Sequence, residues 1–267
     1  MINLLLAASM SAAIPAVAPE PVDARPAMFM VRDQDTTIYL FGTFHALDGQ
    51  SDWFNGDLRD AFESSQELVL ETIVPEHAPQ PVLPASGTRQ SFASYSVAPS
   101  ASFLATTRLA LSAGQSRGMS VGNGADMVLR HAAESEGKDV EGLETLELQL
   151  RMFDRMPSAV APRPASASTG PAGPVADLTN AMSDMQSAWK RGDQTVFVRL
   201  LDQLRRNSPA TYRMMFTERN ARWADWIAAR LQTPGTVFVA VGAGHLAGKD
   251  SVLVRLAEHG IESSRLN

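Results

Sequence analysis

Thr37-Ile38-Tyr39-Leu40-Phe41-Gly42-Thr43-Phe44-His45 and Thr236-Val237-Phe238-Val239-Ala240-Val241-Gly242-Ala243-Gly244-His245 repeat one pattern at opposite ends of the chain. Each is an apolar run that stops at Gly-x-x-His. Runs rich in Val, Ile, Tyr and Phe and ended by Gly read as strands. The glycine permits a sharp turn or a close backbone approach at the strand's end. Both histidines are therefore expected just past strand termini, where open α/β sheets assemble their sites. Two imidazoles delivered this way suit a metal or acid–base centre. A lone Gly-x-x-His reads as an ordinary loop histidine, but two in matching contexts point to function.

Working outward from these runs, Asn55 is expected to cap a helix with Leu58, Ala61, Phe62 and Ser65 on one face. Glu67-Leu68-Val69-Leu70 reads as a second strand ending on Glu71. A helix is expected from about Asp126 to Glu136, stopped by Gly137. The run Lys138–Glu141 then reads as a strand leading into Gly142-Leu143-Glu144. Leu178, Ala181, Met182, Met185, Ala188 and Trp189 share a helical face closed by Gly192. Asp193 is placed to cap the next helix, with Val196, Phe197, Leu200, Leu201 and Leu204 inward. Ser208-Pro209 opens a long third helix with Ser at the cap. After the second Gly-x-x-His come a helix over 251–259, with Asp250 as its cap, and a strand near Ile261–Leu266. The expected fold is α/β with α+β character: a single domain over 24–267, built on one sheet, with the middle helices covering one side.

The bulk composition narrows the function classes. Of 267 residues, 45% are apolar and 19% charged, as in a folded globular protein. The net charge is −6 and no basic stripe appears, which disfavours nucleic-acid partners. With no cysteine, disulfides, thiol nucleophiles and cysteine metal sites are excluded. Residues 1–18 read as an export signal: an apolar segment from Leu4 to Ala8, small residues, then Ala16-Val17-Ala18. The stretch is too short and interrupted for a membrane anchor, so a periplasmic or secreted protein is expected. Four prolines between Pro75 and Pro84 forbid regular structure there. The run 157–174, rich in Pro, Ala and Ser, reads as a flexible loop.

The long helix carries an inconsistency. Tyr212, Phe216, Trp223 and Ile227 form an apolar stripe, and Arg219 and Asn220 fill the gap in it. A guanidinium facing a core is costly unless paired. Arg219 either makes a structural ion pair or snorkels, or it faces a polar pocket and binds a carboxylate or carbonyl. Glu71 and Glu144 each fall where a strand ends, and each alone would read as a solvated carboxylate. Beside the two histidines they complete a His/His/carboxylate set, a common hydrolytic metal shell. The second glutamate would serve as general base or orient a ligand histidine. The other histidines carry less: His77 in a Pro-rich loop, His131 on a solvent-facing helix surface, His259 in a last helical turn. His-Glu-x-x-His and a Walker phosphate loop are both missing from the sequence.

Several of these segments also resemble a known family. Tyr-Leu-Phe-Gly-Thr-Phe-His, the Leu-Val-Leu-Glu strand and Gly142-Leu143-Glu144-Thr145 are similar to the TraB/PrgY/GumN family. So are Ala188-Trp189-Lys190-Arg191-Gly192-Asp193, Glu218-Arg219-Asn220-Ala221-Arg222-Trp223 and Val241-Gly242-Ala243-Gly244-His245-Leu246. The resemblance runs from about Met28 to Leu266 and is closest to the GumN-like bacterial branch. That family includes the animal Tiki proteins, regarded as metal-dependent proteases. The resemblance implies a divalent metal ion on His45, Glu71 and His245, with Glu144, Arg219 and Asn220 as further site residues. Zinc, manganese and cobalt are not separated by ligand types. A peptide or small-molecule substrate is expected. The wider superfamily contains esterases and haem-binding lipoproteins, so the fold does not decide the chemistry. The alternatives are a binding protein for a peptide or haem, and a metal-free hydrolase with a histidine base. The chain departs from the family at 157–174 and in a Ser-rich stretch at 85–118, segments expected to flank the substrate groove.

Overall fold

Both Gly-x-x-His runs are apolar on both faces, and such runs form strands buried on two sides. A computed structural model of the protein describes residues 24–74, 114–155 and 174–267, with side chains described from residue 179 in the last segment. The runs are neighbouring strands in it: β2 (Thr36–Thr43) and β5 (Gly235–Gly242) pair in parallel, Thr43 opposite Gly242. β3 (Glu67–Thr72) lies parallel to β5 on its other side, and β4 (Asp139–Glu144) lies parallel to β3. With β1 (Met28–Arg32) and β6 (Ser264–Arg265), the sheet order is β4-β3-β5-β2-β1-β6. β3, which carries Glu71 near its end, and the strands preceding His45 and His245 therefore run in the same sense and share one carboxyl edge.

The sequence reading missed β1 (Met28–Arg32), which pairs antiparallel with β2. Its turn lacks glycine. Asp33 Oδ1 instead accepts hydrogen bonds from the backbone N–H groups of Asp35 and Thr36, a side-chain-closed turn. The closing strand β6 (Ser264–Arg265) adds to β1, shorter than the 261–266 run suggested.

Helices cover both faces. On one, Phe41, Leu70 and Phe238 meet Leu58 and Phe62 of α1 (Gly56–Glu63) and Leu129 of α2 (Ala125–Glu136). Trp189 of α4 (Pro174–Lys190) and Phe197 and Leu201 of α5 (Thr195–Asn207) join that cluster. α3 (Leu146–Asp154) follows β4. On the other face, Ile38, Leu40, Val239 and Val241 pack against Trp223 and Ile227 of α7 (Glu218–Arg230) and Leu256 of α8 (Val252–Glu258). The middle helices thus divide between the two faces instead of covering one, because a central parallel sheet leaves apolar surface on both.

The long third helix is interrupted: α6 (Pro209–Tyr212) runs into a π-helical turn, Arg213–Thr217, before α7. Local details also differ from the sequence reading. Asn55 occupies the cap position of α1 but makes no capping bond; its amide donates to the Asp52 carbonyl. Ser208 makes no side-chain cap either. Asp193 accepts from the Thr195 N–H as expected, though Gln194 sits at the cap position of α5. Leu200 is 39% exposed, not inward. Ser251, not Asp250, caps α8 by accepting from the Val254 N–H. Gly137 ends α2 in the left-handed region, as read. The leader-like residues 1–18, Pro75–Pro84 with His77, and the 157–174 run up to residue 173 lie outside the described residues, as does 85–113 of the Ser-rich stretch. Among the described residues, no helix is long and apolar enough to cross a membrane.

Candidate functional site

The parallel pairing of β3, β5 and β2 brings Glu71, His245 and His45 to one edge. Gly242, at the end of β5, stands between them. A Cβ on Gly242 would lie 3.1 Å from Glu71 Oε1, 3.4 Å from His45 Nε2 and 3.7 Å from His245 Cδ2. The three side chains therefore surround one small space that a larger residue would fill. The Gly242 N–H donates to Glu71 Oε1 at 2.6 Å, and His245 Nε2 lies 3.7 Å from that oxygen.

Each imidazole is turned so that Nε2 faces this space. His45 Nδ1 lies 3.1 Å from Asp126 Oδ1. Asp126 is in the first turn of α2, and the Ala125 N–H donates to the Phe44 carbonyl. The start of α2 approaches this loop closely because residue 124 is glycine: a Cβ there would stand 2.3 Å from the His45 carbonyl oxygen. His245 Nδ1 lies 2.6 Å from Asn220 Oδ1, and Asn220 Nδ2 donates to the Asp250 carbonyl. Phe216 and Trp223 flank the His245 ring at centroid distances of 4.8 and 4.5 Å. A π-turn stands directly before α7, as is frequent beside functional groups.

Arg219 is the centre of charge. It is 2% exposed and faces inward, which removes the snorkelling reading that the sequence left open. Its Nη2 donates to Glu71 Oε2 at 2.8 Å and its Nε to Glu144 Oε2 at 2.9 Å. Nη1 lies 3.3 Å from His245 Nε2, and the guanidinium sits 4.5 Å from the Trp223 ring centroid. Its carboxylate partners are therefore Glu71 and Glu144. Glu144 also accepts from Arg222 at 3.0 Å.

Burial works against a charged His245, and with Arg219 and His45 it outweighs the attraction of Glu71. The ring's pKa falls from 6.5 to about 3, so it is neutral at ordinary pH. Burial alone would raise the Glu71 carboxyl, but positive charge at His245, Arg219 and His45 and the Gly242 N–H hold it at about 2. Burial also opposes a charged His45, but the Asp126 hydrogen bond and the negative charges of Asp126 and Glu71 prevail and lift its pKa to about 9. That side chain is 60% exposed toward the cleft, so water screens part of the lift.

The polar edge is the floor of a cleft of about 550 Å³. Phe44, Phe153, Met182, Met185, Met215 and Phe216 contribute its apolar walls. His45, Glu71, Arg219 and His245 line it. Glu144 and Asn220 do not: Glu144 stands behind Arg219, and Asn220 behind His245. The cleft thus separates groups that can touch a ligand from groups that hold them in place. Asp126 escaped the sequence reading, since one aspartate opening a helix is ordinarily a dipole partner. Only the close approach at Gly124 shows its link to His45.

The donors suit a divalent ion in kind: two imidazoles and a carboxylate around a space left open by Gly242. Each imidazole has its Nδ1 held by an oxygen, the usual support for a metal-ligating histidine. Among the described residues, no group of three or more His, Asp or Glu side chains is placed to hold a metal ion as it stands, His45, Glu71 and His245 included. They border the space without closing it.

The family model for TraB/PrgY/gumN matches residues 27–95 and 85–265. No curated protein and no solved structure matches the chain.

Proposed function

From the premise that this chain belongs to the TraB/PrgY/gumN family, we propose that it is a divalent-metal-dependent hydrolase, specifically a peptidase, acting in the periplasm or outside the cell. The observation that carries the reading is the convergence of His45, Glu71 and His245 on Gly242. These three residues would hold the ion, with zinc, manganese and cobalt all compatible with such donors. A divalent ion bound there would supply an activated water and polarise the scissile carbonyl.

The remaining chemistry belongs to the protein's own groups. Asp126 and Asn220 hold the rings with Nε2 forward, fixing tautomer and orientation. Arg219 is a preorganised cation at the cleft floor, placed to stabilise negative charge growing on a carbonyl oxygen. Glu144, held by Arg219 and Arg222, anchors that guanidinium instead of taking the water's proton. The apolar walls are placed to grip apolar parts of a substrate. The leader-like residues 1–18 support the placement outside the cytoplasm.

A second reading is a metal-free hydrolase, favoured by Arg219 Nη1 lying against the His245 Nε2 lone pair. There the neutral form of His45, which its raised pKa makes the major one only above about pH 9, takes a proton from water at Nε2 as the oxygen adds to the carbonyl carbon. The imidazolium then returns that proton to the leaving amine or alcohol. Elemental analysis of the purified protein, paired with cleavage of a peptide library with and without chelator, separates the readings. The proposal expects turnover lost on chelation and in His45→Ala and His245→Ala, and restored to the unmodified protein by zinc, manganese or cobalt. Chelator-resistant turnover transfers the assignment to the second reading. No turnover, with a visible absorbance band on haem titration that His45→Ala abolishes, would make it a binding protein.

A further inference from the structure

Thr43 closes β2 two residues before His45 and is 2% exposed. Its Oγ1 is buried without a hydrogen-bond partner among the described residues. Buried hydroxyls are nearly always satisfied, so an exception calls for a reason. Thr43 Oγ1, Arg205 Nε, Trp223 Nε1 and Arg255 Nε share this condition, and of these four residues only Thr43 lines the cleft. In the sheet it stands opposite Gly242 in parallel register. Opposed residues of parallel strands project to the same face. The hydroxyl is therefore on the side where Glu71, His45 and His245 border the space beside Gly242. Valine has the same shape and would bury there without a polar atom, so packing alone does not account for threonine.

We propose that Thr43 is a catalytic residue whose hydroxyl hydrogen-bonds the water that attacks the substrate. The inference rests on the hydrolase reading, under either of its two forms. In peptide hydrolysis the water's oxygen joins the carbonyl carbon, the C–N bond breaks, and both water protons end on the departing amine at neutral pH. Thr43 changes none of these atoms. Oγ1 has almost no surface open to solvent, so the bond forms as a bound substrate presses the water against it: the hydroxyl accepts from the water and aims a lone pair of the water's oxygen at the carbonyl. A hydroxyl can do this beside an imidazole and a carboxylate without adding charge to a floor already holding Arg219 and Glu71.

The test compares Thr43→Val, Thr43→Ser and Thr43→Ala with the unmodified protein by peptide turnover and thermal unfolding. Thr43→Val should unfold at the same or a higher temperature, yet lose about tenfold or more in kcat with KM little changed, the loss expected for one hydrogen bond to a reacting group. Thr43→Ser should keep most of kcat, and Thr43→Ala should resemble Thr43→Val. Full activity in Thr43→Val overturns the inference while leaving the hydrolase reading intact. Should Thr43→Val fail to fold, equal kcat in the Ser and Ala variants overturns it instead. An unmodified protein without turnover on any peptide removes the hydrolase reading, and this inference with it.

Discussion

His245 Nδ1 and Asn220 Oδ1 are 2.6 Å apart, and the Asn220 amide is itself fixed by the Asp250 carbonyl. An amide oxygen can only accept, so Nδ1 carries the proton and Nε2 keeps its lone pair toward the cleft. Asn220→Ala frees the ring to rotate or change tautomer. Activity or metal affinity should fall about 10–100-fold, the usual range for supports of this kind. Imidazole nitrogen shifts by NMR would report the loss of a single tautomer; an unchanged spectrum would show that Trp223 and Phe216 hold the ring unaided.

Arg219 joins Glu71 to Glu144 with almost no exposure. Arg219→Ala leaves both carboxylates buried with a partner missing and should cost roughly 3–5 kcal/mol in denaturant unfolding. Arg219→Lys keeps the charge but cannot serve Glu71 and Glu144 with a planar fork. It should retain more stability than Arg219→Ala while still losing turnover. If Arg219→Lys matched the unmodified protein in both, charge alone would account for the role of residue 219.

Gly242→Ala tests the space between the site residues. The new methyl would stand 3.1 Å from Glu71 Oε1 and 3.4 Å from His45 Nε2. The backbone at Gly242 has φ −52, which alanine adopts without strain, so the fold should survive with a small shift in melting temperature. Metal content and activity should both drop sharply. Normal metal stoichiometry in Gly242→Ala would move the ion site elsewhere.

Acid should destabilise the chelated protein through two groups. His245 has a folded pKa of about 3 against an ordinary 6.5, so its contribution is complete above pH 6.5 and is lost as pH falls toward 3. Glu71, lowered from 4.5 to about 2, behaves the same way in its lower window. His45 has the opposite sign: its contribution is complete below pH 6.5 and is lost as pH rises through about 9. Stability should therefore peak near pH 6.5, and His245→Gln should flatten the acid limb between 6.5 and 3. Denaturant midpoints across pH would read this directly; an acid limb unchanged in His245→Gln would assign it to the carboxylates.

The repeated Gly-x-x-His runs determined the central strands, because apolar residues on both faces are stable only inside a covered sheet, and that is a local property of the sequence. The apolar stripe also marked Arg219 as a cation that needs a partner if it turns inward, but left open whether it does. Local pattern did not reveal β1, since a turn closed by Asp33 carries no glycine signal. Nor could it assign roles within the charged set. Glu71 and Glu144 look alike at strand ends, yet one lines the cleft and the other is held behind Arg219 by two guanidiniums. Asp126 gains its part only because Gly124 lets a helix start against the His45 backbone, far along the chain. Which face a strand buries follows from side-chain periodicity in sequence. Which carboxylate meets solvent and which meets a cation depends on distances between segments, and only the tertiary structure sets those.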